Sequence, residues 1–64
     1  MQTFVVGDRV KVLSNESWSK NPVGSIGVVT FVCERDKDCR VVVEGVTDDN
    51  FVNWHKFGEL QLLD

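Results

Sequence analysis

The 64-residue chain has few of the residues that carry covalent or catalytic chemistry: two cysteines, one histidine, one proline and no tyrosine. Two cysteines, Cys33 and Cys39, are too few for the disulfide framework of a small secreted domain. No apolar run approaches the roughly 20 residues of a transmembrane helix, and no signal peptide is visible. We therefore expect a cytoplasmic protein with reduced thiols and no membrane segment. A cross-strand disulfide in an oxidised sample stays open if the two cysteines flank a hairpin and face each other.

Basic residues are outnumbered as well. Seven Lys and Arg against ten Asp and Glu give a net charge of −3 and a pI near 4.9. The chain thus lacks the long-range basic field that favours tight, sequence-independent binding of nucleic acid. Hydrophobic residues make up 42% and charged residues 27%. This composition is globular, and residues 1–64 are expected to form one small domain.

A single histidine, His55, limits the catalytic options, because a nucleophile needs a nearby base and an orienting group. A pair of His55 with Cys33 or Cys39 has suitable chemistry, but 64 residues leave little room for a substrate pocket. The same three residues with one carboxylate would suffice for zinc, yet the Cys-x₅-Cys spacing matches no common zinc module. We predict no enzyme activity, catalytic residue, metal, other cofactor or small-molecule substrate.

Alternating or β-branched segments predict an all-β fold. The five predicted strands are 9–12, 26–33, 39–44, 51–54 and 59–63. The second strand is expected to be central in the sheet and buried on both faces near its start. The residues predicted to face the core are Val10, Val12, Val41, Val43, Leu60 and Leu62. Residues 55–58 are predicted to form a tight turn or one turn of 3₁₀ helix, with His55 in solvent.

Polar segments separate these strands. The longest, 14–24, contains the Asn21-Pro22 turn signal and shows no helical or strand periodicity. Residues 34–38 are all charged and predict a solvated hairpin turn. Loops of this length commonly make a small domain's contacts, and Trp18 lies in the middle of the first one.

The chain has six large aromatic residues, too many for a domain of this size to bury completely. Phe31 and either Phe51 or Trp54 are the preferred core residues. Trp18, flanked by two serines, has two interpretations. It is either a contact residue for a partner or a ring folded over an open end of the sheet.

Two glycine-led segments carry a family resemblance. Gly7-Asp8-Arg9-Val10-Lys11-Val12 is followed by Gly24-Ser25-Ile26-Gly27-Val28-Val29, and together they resemble the KOW-type pattern. The ending from Trp54 through Phe57 to 59–63 is similar to small SH3-like proteins of bacteria and phages that have no assigned function. The resemblance implies a five-stranded SH3-like barrel with a long loop after the first strand. That loop is longer than in KOW segments and contains one lysine and one glutamate.

The first functional hypothesis is a non-enzymatic protein-interaction module that docks on a larger protein, as a bacterial or phage regulator or inhibitor. In SH3-like modules the groove beside the long first loop commonly receives a peptide. Trp54, His55 and Lys56 are candidates for its second wall. The predicted contact residues are Trp18, Lys20, Asn21, Trp54, His55 and Lys56.

The alternative is a KOW-like element that contacts RNA or a ribosomal or transcription complex. Its phosphate-facing candidates are Arg9, Lys11, Arg40 and Lys56. Each is equally well explained as the outward residue of an amphipathic strand. The spatial arrangement distinguishes the two hypotheses. Four cations on one face with an aromatic residue between them would favour RNA, whereas cations scattered among carboxylates would not.

Overall fold

The computed structural model describes residues 3–16, 19–47 and 52–63. It shows an all-β protein with one antiparallel sheet of five strands and a single-turn 3₁₀ helix at Phe57–Glu59. The strands are β1 Arg9–Val12, β2 Ile26–Cys33, β3 Asp38–Val43, β4 Trp54–Lys56 and β5 Leu60–Leu63. Their order in the sheet is β4-β3-β2-β1-β5, so β2 is central, as its sequence predicts. No helix among the described residues is long and apolar enough to cross a bilayer.

The core lies against one face of this sheet. Alternation within β1 and β3 buries every second side chain, as predicted. The buried apolar residues are Phe4, Val10, Val12, Val29, Cys39, Val41, Val43, Phe57 and Leu60. Two of these, Phe4 and Phe57, pack edge to face with ring centroids 5.4 Å apart. Phe4 and Phe57 therefore form an aromatic pair in the core, where the sequence predicts Phe31 and either Phe51 or Trp54 instead.

The prediction that Phe31 belongs to the core is wrong, because its side chain is 57% exposed. A break in the β2–β3 register between Val29 and Phe31 places one extra residue, Thr30, in β2. Strict alternation from Val29 would turn Phe31 inward. The extra residue reverses the alternation and places Phe31 on the outer face of the sheet, where Trp54 also lies, half-buried.

The start of β2 is also less buried than predicted. Ile26 and Val28 lie on the outer face and are 50% and 41% exposed. Leu62 is opposite Val10 in the register of β5 with β1, on the inner side. It still leaves 37% of its surface accessible, because β5 is an edge strand of the sheet.

The fourth strand begins three residues and ends two residues later than predicted, at Trp54–Lys56 instead of 51–54. The strand is recognised by its pairing with β3, in which His55 lies opposite Cys39 and Lys56 opposite Asp38. His55 is therefore a strand residue with its side chain inside the molecule, not a solvated turn residue. The predicted turn of 3₁₀ helix begins only at Phe57, and Phe51 lies outside the described residues.

The second glycine-led segment needs glycine at two positions, Gly24 and Gly27. Gly24 adopts φ +92°, a left-handed conformation that L side chains rarely adopt. Gly27 lies under β3, where a Cβ would come within 2.6 Å of the carbonyl oxygen of Val42. One glycine thus permits a turn and the other a close approach of two strands.

Cys33 and Cys39 lie on opposite faces of the sheet. Cys39 is opposite Val32 on the inner side, whereas Cys33 is opposite Asp38 on the outer side. Both are free thiols. The open possibility of a cross-strand disulfide is therefore excluded for this register, because the two side chains point away from each other.

Candidate binding surface

Two predicted contact residues, Asn21 and His55, are completely buried, with 0% of their surface accessible. Asn21 Nδ2 donates to the carbonyl oxygen of Val41 over 2.9 Å and lies 3.2 Å from His55 Nε2. Asn53 Nδ2 donates to Asn21 Oδ1 over 3.1 Å. Their assignment as surface contacts is therefore wrong. The two residues join the long loop to β3 and β4 from the inside.

These partners determine the tautomer of His55. Because Asn21 Nδ2 donates to it, Nε2 of His55 is an acceptor, and the ring hydrogen resides on Nδ1. Nδ1 then donates to Glu59 Oε1 over 3.3 Å, and the same oxygen accepts the Lys56 backbone N–H over 3.1 Å. Burial lowers the pKa of His55, and this effect is partly opposed by the hydrogen bond to Glu59 and the charge of Glu59. His55 is thus a neutral ring within a closed hydrogen-bond chain.

The described part of the long loop is held by the same kind of contact. Ser19 Oγ donates to the carbonyl oxygen of Val52 over 2.9 Å, and the Lys20 N–H donates to that oxygen over 2.7 Å. Asn15 Nδ2 donates to the carbonyl oxygens of Ser19 and Asn21. The Lys20 side chain is exposed. Trp18 lies outside the described residues, so its part in binding stays a prediction.

The outer face of the sheet has an aromatic pair at its centre. The register pairs Phe31 with Arg40 and Arg40 with Trp54, so the three residues form one row across β2, β3 and β4. The rings of Phe31 and Trp54 are 5.7 Å apart at an angle of 65°. Arg40 Nη1 donates to Thr30 Oγ1 over 3.1 Å. These four residues line a cleft of about 280 Å³.

All four cations predicted to face phosphates lie on this outer face. Arg9 and Lys11 are outward residues of β1, Arg40 of β3 and Lys56 of β4. Among the outward positions of the five strands the only carboxylate is Asp38, whose Oδ2 lies 3.8 Å from Lys56 Nζ. The strand positions of this face therefore sum to a charge of +3 on a chain whose total is −3. One turn residue adds a carboxylate to this face, because Asp36 lines a cleft together with Phe31, Asp38 and Trp54.

Aliphatic side chains occupy the part of the outer face on one side of the aromatic row. Val28 and Val42 are paired in the neighbouring row, Ile26 lies one outward position further along β2, and Leu63 lies on the edge strand β5. Contiguous apolar surface bordered by charged groups is typical of protein interaction sites. We define the outer sheet face by its central row, Phe31, Arg40 and Trp54, with these aliphatic and basic neighbours.

The zinc set considered from the sequence is divided between the two sides of the sheet. Cys39 and His55 are neighbours on the inner side, whereas Cys33 is on the outer side. Burial, with the charges of Asp38 and Asp8, raises the pKa of Cys39 to about 12, so this thiol is protonated and unsuited to bind a metal. Donor atoms of Cys33, Asp36 and Asp38 do lie within 4.8 Å of one another. The ammonium group of Lys56 lies 3.8 Å from Oδ2 of Asp38, so the cluster of Cys33, Asp36 and Asp38 already has a positive charge beside it.

Sequence reasoning misses two residues that matter here. Phe31 is predicted in the core, and the sequence contains no signal for the extra residue that turns it outward. Glu59, only 4% exposed, is predicted to be an ordinary polar residue of the last strand. The sequence signal for its role is that Glu59 follows His55 by four residues, because this separation brings the two side chains together around the 3₁₀ turn.

Comparison with known proteins identifies no relative of this chain. No family model, curated protein or solved structure matches the chain. The resemblance of residues 7–12 and 24–29 to KOW-type segments therefore stays a prediction.

Proposed function

We propose that the protein is a small non-enzymatic interaction module that docks on a larger protein through the outer sheet face. The observation that carries this proposal is the row of Phe31, Arg40 and Trp54 on a face whose outward strand positions are aliphatic or basic, except for Asp38 and a few polar residues. Aromatic residues and arginine are enriched at interface cores and at binding hot spots. The complementary surface on the partner is apolar and carries carboxylates.

Burial of the reactive groups supports a binding role over a catalytic one. The chain's only histidine has no accessible surface, and both of its ring nitrogens have partners within the protein. The Cys39 thiol is equally enclosed and protonated. A substrate would meet neither group, and a general base must lie within hydrogen-bond reach of its proton.

The docking surface differs from the one expected from the sequence. The sequence predicts contact through a groove beside the long loop of a chain with an acidic total charge, whereas the outward strand positions of the outer sheet face are mainly basic or apolar. Lys56 and Trp54 remain contact residues, and Phe31, Arg40, Arg9 and Lys11 join them. We further propose that it acts as a cytoplasmic regulator or inhibitor of the larger partner, as the predicted resemblance to SH3-like proteins of bacteria and phages implies.

RNA binding is the second candidate. The four cations share one face, and Phe31 and Trp54 lie on either side of Arg40, which is the arrangement stated above to favour RNA. Single-stranded nucleic acid binds to such combinations of rings and basic groups. The aliphatic side chains of Ile26, Val28 and Val42 offer nothing to stacked bases, however, and the total charge opposes phosphate approach. These features place RNA behind a protein partner.

The test compares two glutamate substitutions of equally exposed apolar residues. Phe31→Glu lies in the central row, and Val23→Glu lies in a turn outside the strands, where Val23 is 61% exposed. The partner is captured from the source cell by each variant, identified, and its dissociation constant measured with the purified proteins. We expect Phe31→Glu to weaken binding at least about 30-fold, as for an interface hot spot, and Val23→Glu to leave it unchanged. Equal affinities for the two variants would refute docking through this face.

RNA is tested with the same pair of variants. An oligouridine is titrated at about 50 mM salt, where weak phosphate contacts are still detectable. Binding that Phe31→Glu abolishes and Val23→Glu preserves, with no protein partner sensitive to Phe31→Glu, would assign the face to RNA instead.

A further inference from the structure

An apolar cleft adjoins the outer sheet face at the end of β2. It has a volume of about 420 Å³ and is lined by Phe4, Val5, Val6, Phe31, Val32 and Glu34. We infer that this β2-end cleft binds an apolar side chain of the protein partner that lies next to a lysine or arginine, whose cation pairs with Glu34. The inference rests on the proposed function and specifies the chemistry of one part of the partner's surface.

The two valines of the cleft belong to a turn that is fixed by hydrogen bonds. The Val5 N–H donates to Asp8 Oδ2 over 2.9 Å, and the Asp8 N–H donates to the Val5 carbonyl oxygen over 3.1 Å. The turn is attached to β2, because the Gly7 N–H donates to the Val29 carbonyl oxygen over 2.8 Å and the Val29 N–H donates to that of Asp8 over 2.9 Å. A wall that is held in place before the ligand arrives reduces the conformational entropy lost on binding.

The cleft combines a buried floor with exposed apolar walls. Val5 and Val6 each leave 64% of their surface accessible, and Phe31 leaves 57%. Phe4 lines the same cleft but is only 2% exposed and belongs to the core, against which Val32 also packs. The fold does not need the exposed side chains for its own core. Contiguous exposed apolar surface of this kind is typical of an interaction site.

The charge beside the cleft is negative. Among the described residues that line it, Glu34 alone is charged, and its side chain is exposed in the turn that follows β2. The nearest residues in the chain, Arg35 and Asp36, pair with each other at 3.8 Å. Within residues 3–16, 19–47 and 52–63, the Glu34 carboxylate has no ion-pair or hydrogen-bond partner. Charge complementarity therefore favours a cation beside the bound apolar group.

The same carboxylate argues against the other occupants of an apolar cleft. RNA would bring phosphates towards Glu34, and an anionic membrane surface would meet the same repulsion. A second copy of the chain, joined through the same cleft by a two-fold axis, would place two Glu34 carboxylates at one interface. A different protein that presents a cation next to an apolar side chain meets none of these obstacles.

The probe is the peptide N-acetyl-leucyl-lysine N-methylamide, titrated into the ¹⁵N-labelled protein at about 10 mM salt, where charge pairs are little screened. The alanyl-lysine peptide shortens the apolar side chain, and the leucyl-glutamine peptide removes the charge. We expect saturable shifts of the amide signals of Val5, Val6 and Val32. The alanyl-lysine peptide should bind at least about 5-fold more weakly, because it buries less apolar surface. The leucyl-glutamine peptide should bind about 2- to 5-fold more weakly, as expected for the loss of an exposed ion pair.

Variants of exposed residues locate the binding site without disturbing the core. Val6→Ser and Glu34→Gln alter the cleft. Their matched controls, Val23→Ser and Glu44→Gln, alter residues of the same types in exposed turns elsewhere. Val6→Ser should weaken the leucyl-lysine peptide about 3-fold. Glu34→Gln should remove the preference for leucyl-lysine over leucyl-glutamine, and both controls should bind like the wild type.

Several results would overturn the inference. One is equal binding of the leucyl-lysine peptide by wild type and Val6→Ser, and another is a preference for lysine that survives Glu34→Gln. Tighter binding of oligouridine or of phosphatidylserine vesicles at these residues would assign the cleft to that ligand instead. Shifts of the same signals on raising the protein concentration, with no peptide present, would assign it to a second copy of the chain.

Partner binding separates this inference from the proposed function. If Phe31→Glu weakens partner binding but Val6→Ser and Glu34→Gln leave it unchanged, the outer sheet face is the docking surface and the assignment of the cleft is wrong. If Phe31→Glu has no effect, the outer sheet face is not the docking surface, whatever the peptides show.

Discussion

Acidification is expected to destabilise this fold through His55. Both ring nitrogens are used by the neutral form, since Nε2 accepts from Asn21 and Nδ1 donates to Glu59. Protonation places a hydrogen on Nε2, directed at the Asn21 amide nitrogen, which has its own hydrogens. The groups around the ring cannot rearrange cheaply, because Asn21 is also bonded to Val41 and Asn53. Burial accordingly lowers the pKa of His55 in the folded protein.

The sign of the effect follows from proton binding by the two states. In the unfolded chain His55 titrates near 6.5, and in the folded protein it titrates below that value. Between the two pKa values the unfolded state binds one proton more, so the free energy of unfolding decreases as the pH falls. The contribution is complete above about pH 6.5 and is lost at up to about 1.4 kcal/mol per pH unit below it. For a domain with a total stability of about 5 kcal/mol, the loss over one or two pH units is a large fraction.

The assay is urea unfolding at a series of pH values between about 7.5 and 5. His55→Gln is the reference variant, because glutamine can accept from Asn21 and donate to Glu59 yet does not titrate. The difference in stability between wild type and variant should shrink steadily below about pH 6.5. NMR of the wild type follows the His55 ring directly and should show the Nδ1–H tautomer. A folded-state midpoint at or above 6.5 would refute the reasoning, and this measurement stands even if the variant does not fold.

Two further predictions concern the core. Gly27→Ala should lower the free energy of unfolding by at least about 2 kcal/mol, because the new methyl group meets the Val42 carbonyl oxygen. Gly58→Ala, whose added methyl group would have nothing within 4 Å, is the control and should change stability by less than about 0.5 kcal/mol in urea unfolding; similar losses would contradict the close approach. Cys33 should react with a thiol reagent in the native protein, whereas Cys39, buried and with its pKa raised to about 12, should react only in urea. Two equally fast thiols in the native state would show that Cys39 is accessible.

Much of the fold is predictable where burial follows a period of two. Val10 and Val12 in β1, and Val41 and Val43 in β3, alternate with polar or exposed residues, and the structure buries all four. Glycine is also the residue required at Gly24, which adopts a left-handed turn conformation, and at Gly27, where another strand comes too close for a side chain. In each case the local sequence and the tertiary environment require the same residue type.

The predictions are wrong where the orientation or burial of a residue depends on residues far away in the sequence. One extra residue in β2 turns Phe31 outward, and only pairing with β3 reveals it. His55 is expected in solvent because polar residues usually are. Its burial depends on Asn21, 34 positions away, and on Glu59, and no local pattern predicts that such partners will satisfy both ring nitrogens.

The net charge of the whole chain does not reveal the four cations on the outer sheet face, and the reason is geometric. In a half-buried antiparallel strand every outward residue lies on one face, so Arg9, Lys11, Arg40 and Lys56 converge there although they are far apart in the chain. Among the described residues, most carboxylates lie in turns and loops outside the strands, and of these Asp36 lines a cleft beside Phe31 and Trp54. An acidic total charge of −3 is therefore compatible with a basic sheet face. For a small sheet protein, the charge that selects a partner is the sum over outward strand positions, and the charge of the whole chain governs only its approach from a distance.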